Sequence, residues 1–191
     1  MRKVFYSFFV PYCKEQNDLK LRELRSAKAA KSLYKAFYFM FATAWGYYVL
    51  KDEYYLPPSL GGRGLMVRSF EEHPFAKHAE GLKTYILVTM GYHVGSLITH
   101  FIGTRKNDFV EMALHHIVCI YLFAGMYLYN IWEVGSAVAF LHDIADITTN
   151  WVKMLAETKD KKVVPVLFVF HMGIWFWTRL FVLPQYIWFM I

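Results

Sequence analysis

Cysteine is nearly absent from this chain: Cys13 and Cys119 are the only two in 191 residues. Cys119 stands inside an apolar run, so a disulfide framework is excluded as the basis of the fold. No basic patch is interleaved with stacking aromatics and no nucleic-acid motif occurs. The net charge of +6 is therefore not read as a nucleic-acid footprint. Internal repeats and low-complexity tracts are also missing. The N-terminus, Met1 to Pro11, has a short apolar run without a cleavage-site pattern, and reads as an interfacial arm, not a signal peptide.

What is abundant is apolar. Hydrophobic residues make up 57% and aromatic residues 19%, too much for an ordinary soluble domain of this length. Five runs approach the ~20 residues a helix needs to cross a bilayer. They are residues 32–50, 83–103, 109–130, 134–156 and 163–183. A sixth begins at Pro184 and stops at Ile191, so a C-terminally truncated domain is expected. Backbone polar groups in lipid must be satisfied internally, which makes every span a helix. The expected fold class is all-α: a polytopic transmembrane helical bundle of five full spans plus the start of a sixth, at 31–191, behind a basic arm at 1–30.

Lysine and arginine orient the spans. Lys14, Lys20, Arg22, Arg25, Lys28 and Lys31 precede the first span. Arg105 and Lys106 follow the second, and Lys159, Lys161 and Lys162 follow the fourth. With alternating spans these fall on one side, expected to be cytoplasmic. The 51–81 loop, with Pro57, Pro58, Gly61 and Gly62, and the turn near Glu133 are expected to be lumenal.

Ionisable groups in a bilayer are costly and usually serve function. The third span carries Glu111, His115 and His116, and ends at Asn130. The fourth carries His142, Asp143, Asp146, Asn150 and Lys153. From the cytoplasmic ends, His115 lies ~10 Å deep, Asp146 ~15 Å and His142 ~21 Å. Two consecutive spans joined by a short turn are antiparallel neighbours, so the histidine pair and the aspartates are expected to meet in the cytoplasmic half. His142, Asp146 and Asn150 follow at i, i+4 and i+8 and make one polar stripe. An imidazole backed by a carboxylate can act as base or nucleophile near neutral pH, which suits acyl transfer.

Blander readings apply elsewhere. His93, His100 and His171 are taken as hydrogen bonders between helices. Trp175, Phe176 and Trp177 read as packing and interface anchors, and Arg179 as a snorkelling side chain or a carboxylate's partner. Zinc or a di-iron centre is the sharper competitor at the His and Asp set. No His-x-x-His-His or His-x-x-x-His run occurs, and His115 and His116 point about 100° apart on one helix. No metal and no cofactor is therefore expected.

At these residues the chain resembles the TLC domain of ceramide synthases, the sphingosine N-acyltransferases. The match runs through Asp108, Phe109, Glu111, Met112, His115, His116, Asn130, Gly135, His142, Asp143, Asp146 and Lys153, and continues weakly to Arg179 and Pro184. Upstream, Ser32 to Gly46 is similar to the first helix of that domain. The resemblance covers about residues 28–191. It implies transfer of a fatty acyl group from acyl-CoA, as co-substrate, to the amine of a sphingoid base, in the endoplasmic reticulum membrane. It also implies catalytic roles for His115, His116, His142, Asp143 and Asp146, with His115 carrying the acyl group. Glu111, Asn130, Asn150 and Lys153 are the expected substrate-binding residues. The turn at Lys159 to Lys162 reads as a solvated loop, with attraction of the coenzyme A phosphates as a weaker reading. A homo- or hetero-dimer stays open.

Some positions depart from the family pattern. Ala145 stands in place of Ser, Thr149 and Asn150 in place of Leu and Glu, and Glu133 where Arg is common. The family's additional N-terminal helix and its acidic tail are absent from the sequence. The rival reading is a non-enzymatic TLC-domain protein that binds or transports lipid or assists membrane-protein biogenesis.

Overall fold

The computed structural model describes residues 7–51, 53–71, 73–75, 77–103, 108–159 and 162–190. Arg105, Lys106 and Lys161, used above to orient the spans, lie outside these residues, as do Met1 to Tyr6 of the arm and Ile191. Helix α1 runs Leu19–Leu50, α2 Leu82–Ile102, α3 Phe109–Leu128 and α4 Trp132–Leu155. Helix α5, Val163–Phe176, passes through a π-helical turn at Trp177–Val182 into α6, Leu183–Met190. No strand occurs among the described residues, apart from an isolated bridge between Cys13 and Thr158. The protein has an all-α, multi-pass membrane fold. Among the described residues, three helices are long and apolar enough to cross a bilayer: Leu82–Ile102, Phe109–Leu128 and Val163–Trp188.

Two boundaries differ from the sequence expectation. The start of a sixth span at Pro184 is the continuation of the fifth, because the helix does not break there. A proline clashes with the carbonyl four residues back, here that of Leu180. The wider π turn at Trp177–Val182 contains that carbonyl and absorbs the conflict. The other difference is α1, which starts at Leu19 and not near residue 32. Asp18 caps it: its Oδ1 accepts from the backbone N–H of Lys20 at 2.9 Å and of Leu21 at 3.1 Å. The Lys, Arg, Glu, Leu and Ala residues that follow are strong helix formers, so the arm is helical from Leu19 onward.

The chain forms two compact units, 1–43 with 141–184 and 44–140 with 185–191. In the first, Phe9, Ala29, Ala30, Leu33 and Met154 form a buried cluster flanked by Trp151 and Leu155. The segment before α1 is tied to the turn after α4. Lys14 N–H donates to Glu157 O at 3.1 Å, and Lys159 N–H to Tyr12 O at 3.0 Å. The Glu157 carboxylate also accepts from Arg25 at 3.3 Å. This arm, expected to be interfacial, is anchored by pairing and by burial of Phe9 and Cys13.

In the second unit the 51–81 segment folds back on itself. Leu65 N–H donates to Tyr54 O at 2.7 Å and Gly64 N–H to Leu56 O at 2.9 Å. The backbone approach is so close at Gly62 that a Cβ there would sit 2.1 Å from the Leu56 carbonyl oxygen. Tyr55 is fully buried, and its hydroxyl pairs with Ser136 Oγ at 3.2 Å. Burial pushes the Tyr55 phenol well above its ordinary pKa. Helices α2 and α3 pack together. Ala113, His116 and Phe123 form the buried face of α3, while Leu114, Val118, Tyr121 and Leu122 are exposed, as lipid contact requires.

Candidate active site

The expected residues divide between the two compact units. Glu111, His115, His116 and Asn130 belong to the second; His142, Asp143, Asp146, Asn150 and Lys153 belong to the first. Each half is described by itself.

On α3, adjacent residues diverge by about 100°, and the two histidines have different surroundings. His116 is buried and His115 exposed. His116 Nδ1 lies 3.2 Å from His93 Nδ1 on α2. One of these nitrogens donates its proton to the lone pair of the other, so each ring fixes the tautomer of its partner. His93 is held from its other side by Phe123, stacked at 5.7 Å between centroids. His115 extends past this pair, its ring centroid 6.1 Å from that of His93, with Cys119 Sγ 3.7 Å from its Nε2. One ring nitrogen from each of His93, His115 and His116 lies within 4.8 Å of the other two. Glu111, one turn before His115, is exposed.

His93 was expected to bond between helices, and it does. So do His100, whose Nε2 meets the Phe109 carbonyl at 2.8 Å, and His171, whose Nδ1 meets Thr148 Oγ1 at 2.9 Å. What the sequence did not reveal is that His93 meets the His115 and His116 pair. The spacing between His93 and His116 carries no periodic signal, since the two lie on different helices.

On α4, Asp143 and Asn150 are buried, His142 and Asp146 half-buried and Lys153 exposed. Along the stripe, burial is deepest at Asn150, and Lys153 reaches the surface. Asn150 folds back on its own helix, its Nδ2 donating to the Asp146 carbonyl at 2.7 Å. The Asp146 carboxylate faces Arg179 of the π turn, Oδ1 to Nη2 at 3.7 Å. Arg179 thus takes the carboxylate-pairing alternative and not the snorkelling one. The π turn displaces residue directions from the ordinary helical path, and such turns recur at functional sites.

Asn130 belongs to a different constellation, in the turn between α3 and α4. Its backbone is left-handed, φ 57°, a conformation asparagine tolerates better than most residues. Its Nδ2 donates to the Pro74 carbonyl at 2.7 Å, which leaves Oδ1 to accept from His78 Nε2 at 2.7 Å. His78 Nδ1 meets the buried Glu133 carboxylate at 2.8 Å, and the ring stacks on Trp132 with centroids 4.2 Å apart. Asn130 and Glu133 together clamp the 51–81 segment to the α3–α4 turn. Neither His78 nor this role was visible in the sequence.

A multi-pass helical membrane protein that carries imidazoles and carboxylates within its apolar helices belongs to a narrow class. The TLC domain matches residues 28–191. The chain belongs to the TLC-domain family, and the resemblance to ceramide synthases read from its motifs is borne out. Ceramide synthase 4 of Bos taurus is 30% identical over 118 residues, covering 62% of this chain and 30% of its own length. Ceramide synthase hyl-1 of Caenorhabditis elegans is 24% identical over 161 residues, 84% of this chain and 42% of its own. Sphingosine N-acyltransferase lag1 of Schizosaccharomyces pombe is 27% identical over 110 residues, 58% and 28% respectively. The chain spans well under half the length of these three relatives. No solved structure matches it.

Proposed function

We propose that this protein is a ceramide synthase-like N-acyltransferase of the endoplasmic reticulum membrane, moving a fatty acyl group from acyl-CoA to the amine of a sphingoid base. The observation that carries the reading is the joint presence of His115 and His116 with His142, Asp143 and Asp146 in a TLC-domain chain similar to named ceramide synthases. The reading takes five membrane spans, counting α1 and α4 in addition to the three most apolar helices.

The different surroundings of the two histidines divide the labour. His115 is accessible, so its imidazole nitrogen attacks the thioester carbonyl carbon. The carbon–sulfur bond breaks, and the CoA thiolate departs and takes up a proton. The resulting acyl-imidazole is then attacked by the neutral amine; the new carbon–nitrogen bond forms as the carbon–imidazole bond breaks. A sphingoid amine is charged in water and must first lose a proton. His116, held in one tautomer by His93, is the base for that proton. Asp143 and His142 supply a second acid–base pair, and Asp146, fixed by Arg179, balances charge. Glu111, Asn150 and Lys153 contact substrate in this reading, with Lys153 placed toward the CoA phosphates.

Purified full-length chain given acyl-CoA and sphinganine should yield the N-acyl product. Absence of product with lipid binding retained would instead favour a lipid-binding or transport role.

A further inference from the structure

We infer that His93, His115 and His116 form a three-imidazole binding site for a divalent transition metal of the zinc class. Sequence spacing argues against a metal here because adjacent histidines on one helix diverge. The fold removes that objection by supplying a third imidazole from α2. His93 faces His116 at 3.2 Å between Nδ1 atoms. Tetrahedral zinc with bonds of about 2.0–2.1 Å separates neighbouring nitrogens by about 3.3–3.4 Å. The His93–His116 pair already has that spacing. An ion exchanged for the single proton between these nitrogens sits about 1.2 Å off the line joining them, so both rings tilt toward it while their spacing stays nearly the same.

The third ligand is close. A nitrogen of His115 lies within 4.8 Å of both partners, and His115 is exposed. A ring shift of roughly 1–1.5 Å closes it onto the ion, which side-chain rotation supplies. His116 is buried on α3 and half-buried His93 on α2 stacks on Phe123, so two of the three ligands are held side by side before any ion arrives. Imidazole suits zinc, cobalt, nickel and copper, and excludes magnesium and calcium, which demand oxygen ligands. Three protein ligands leave a fourth position open. Cys119 and Glu111, one turn to either side of His115, are the groups on that strip able to offset the ion's charge in a low-dielectric setting.

The site overlaps the proposed acyl-transfer residues but does not depend on that reading. A nitrogen bound to metal has no lone pair for an acyl group or a proton, so the loaded chain is the blocked form of any imidazole chemistry there. The test reads the metal alone. Purified full chain in detergent, stripped with a chelator, is titrated with Co2+ and followed by its visible d–d absorption. One Co2+ per chain, with the intensity of tetrahedral coordination and displacement by Zn2+, is the expected result. His93→Ala and His115→Ala should each weaken binding by at least about tenfold, while His171→Ala should leave it unchanged. His115 is exposed, so its removal leaves the His93–His116 contact in place, and helical circular dichroism checks the fold of each variant. Absence of saturable binding, or affinity unaltered in His115→Ala, overturns the site. Acyl transfer is assayed separately on the stripped chain, so its failure is a separate result.

Discussion

His93 Nδ1 and His116 Nδ1 face each other at 3.2 Å across α2 and α3. Only one proton fits between two such nitrogens, so the two rings orient as a unit. Removing His93 should therefore lower N-acyl product formation through His116. A loss of about fivefold to tenfold in kcat is expected, the scale of one net hydrogen bond. His116→Ala and the His93→Ala, His116→Ala double variant should have nearly equal rates; additive losses would show that the two act independently.

His115 is exposed where His116 is buried, so the two are not interchangeable. His115→Ala should abolish the covalent acyl adduct seen by intact-protein mass spectrometry with acyl-CoA alone. His116→Ala should retain the adduct and slow its transfer to sphinganine by roughly a hundredfold or more. The reverse pattern would exchange the two roles.

Arg179 lies 3.7 Å from Asp146, and neither side chain is fully buried. Solvent screening keeps the stability of such a pair small, about 1 kcal/mol or less. Arg179→Ala should thus leave the melting temperature nearly unchanged while reducing acyl transfer. Arg179→Lys should restore part of the rate. A large drop in melting temperature would mark the pair as structural.

The His78, Asn130 and Glu133 clamp makes the opposite prediction. Glu133 is buried with Oε1 on His78, and its Oε2 has no hydrogen-bond partner among the described residues. His78→Ala leaves that carboxylate without its partner, at a cost of about 1–3 kcal/mol or more. Amide exchange around residues 77–81 should accelerate. Unaltered protection would mean that the backbone contacts of the 51–81 segment hold it alone.

Tyr55 sets an alkaline limit. Its folded-state pKa is raised by burial above the ordinary value of 10.0. The unfolded chain ionises first, so this stability is fully present below pH about 10 and is lost as pH climbs from there toward the folded-state pKa. Tyr55→Phe should flatten the decline of unfolding free energy above pH about 10. An unchanged slope would place the alkaline sensitivity elsewhere.

Composition alone determined the class of this protein. Long apolar runs leave helices as the only spanning structure, and the polar residues placed within them, His115, His116, Asp143 and Asp146, were legible because nothing apolar explains them. Helical periodicity also placed Asn150 and Asp146 on one strip, and they do meet there through the Asn150 side chain. Tertiary structure decided the rest, because its contacts join residues with no common period. His93 reached His116 only when α2 packed on α3, and His78 reached Glu133 only when the 51–81 segment folded back. Pro184 looked like a boundary until a π turn accommodated it. A sequence fixes which groups each helix carries; which of them share a proton depends on how neighbouring helices pack.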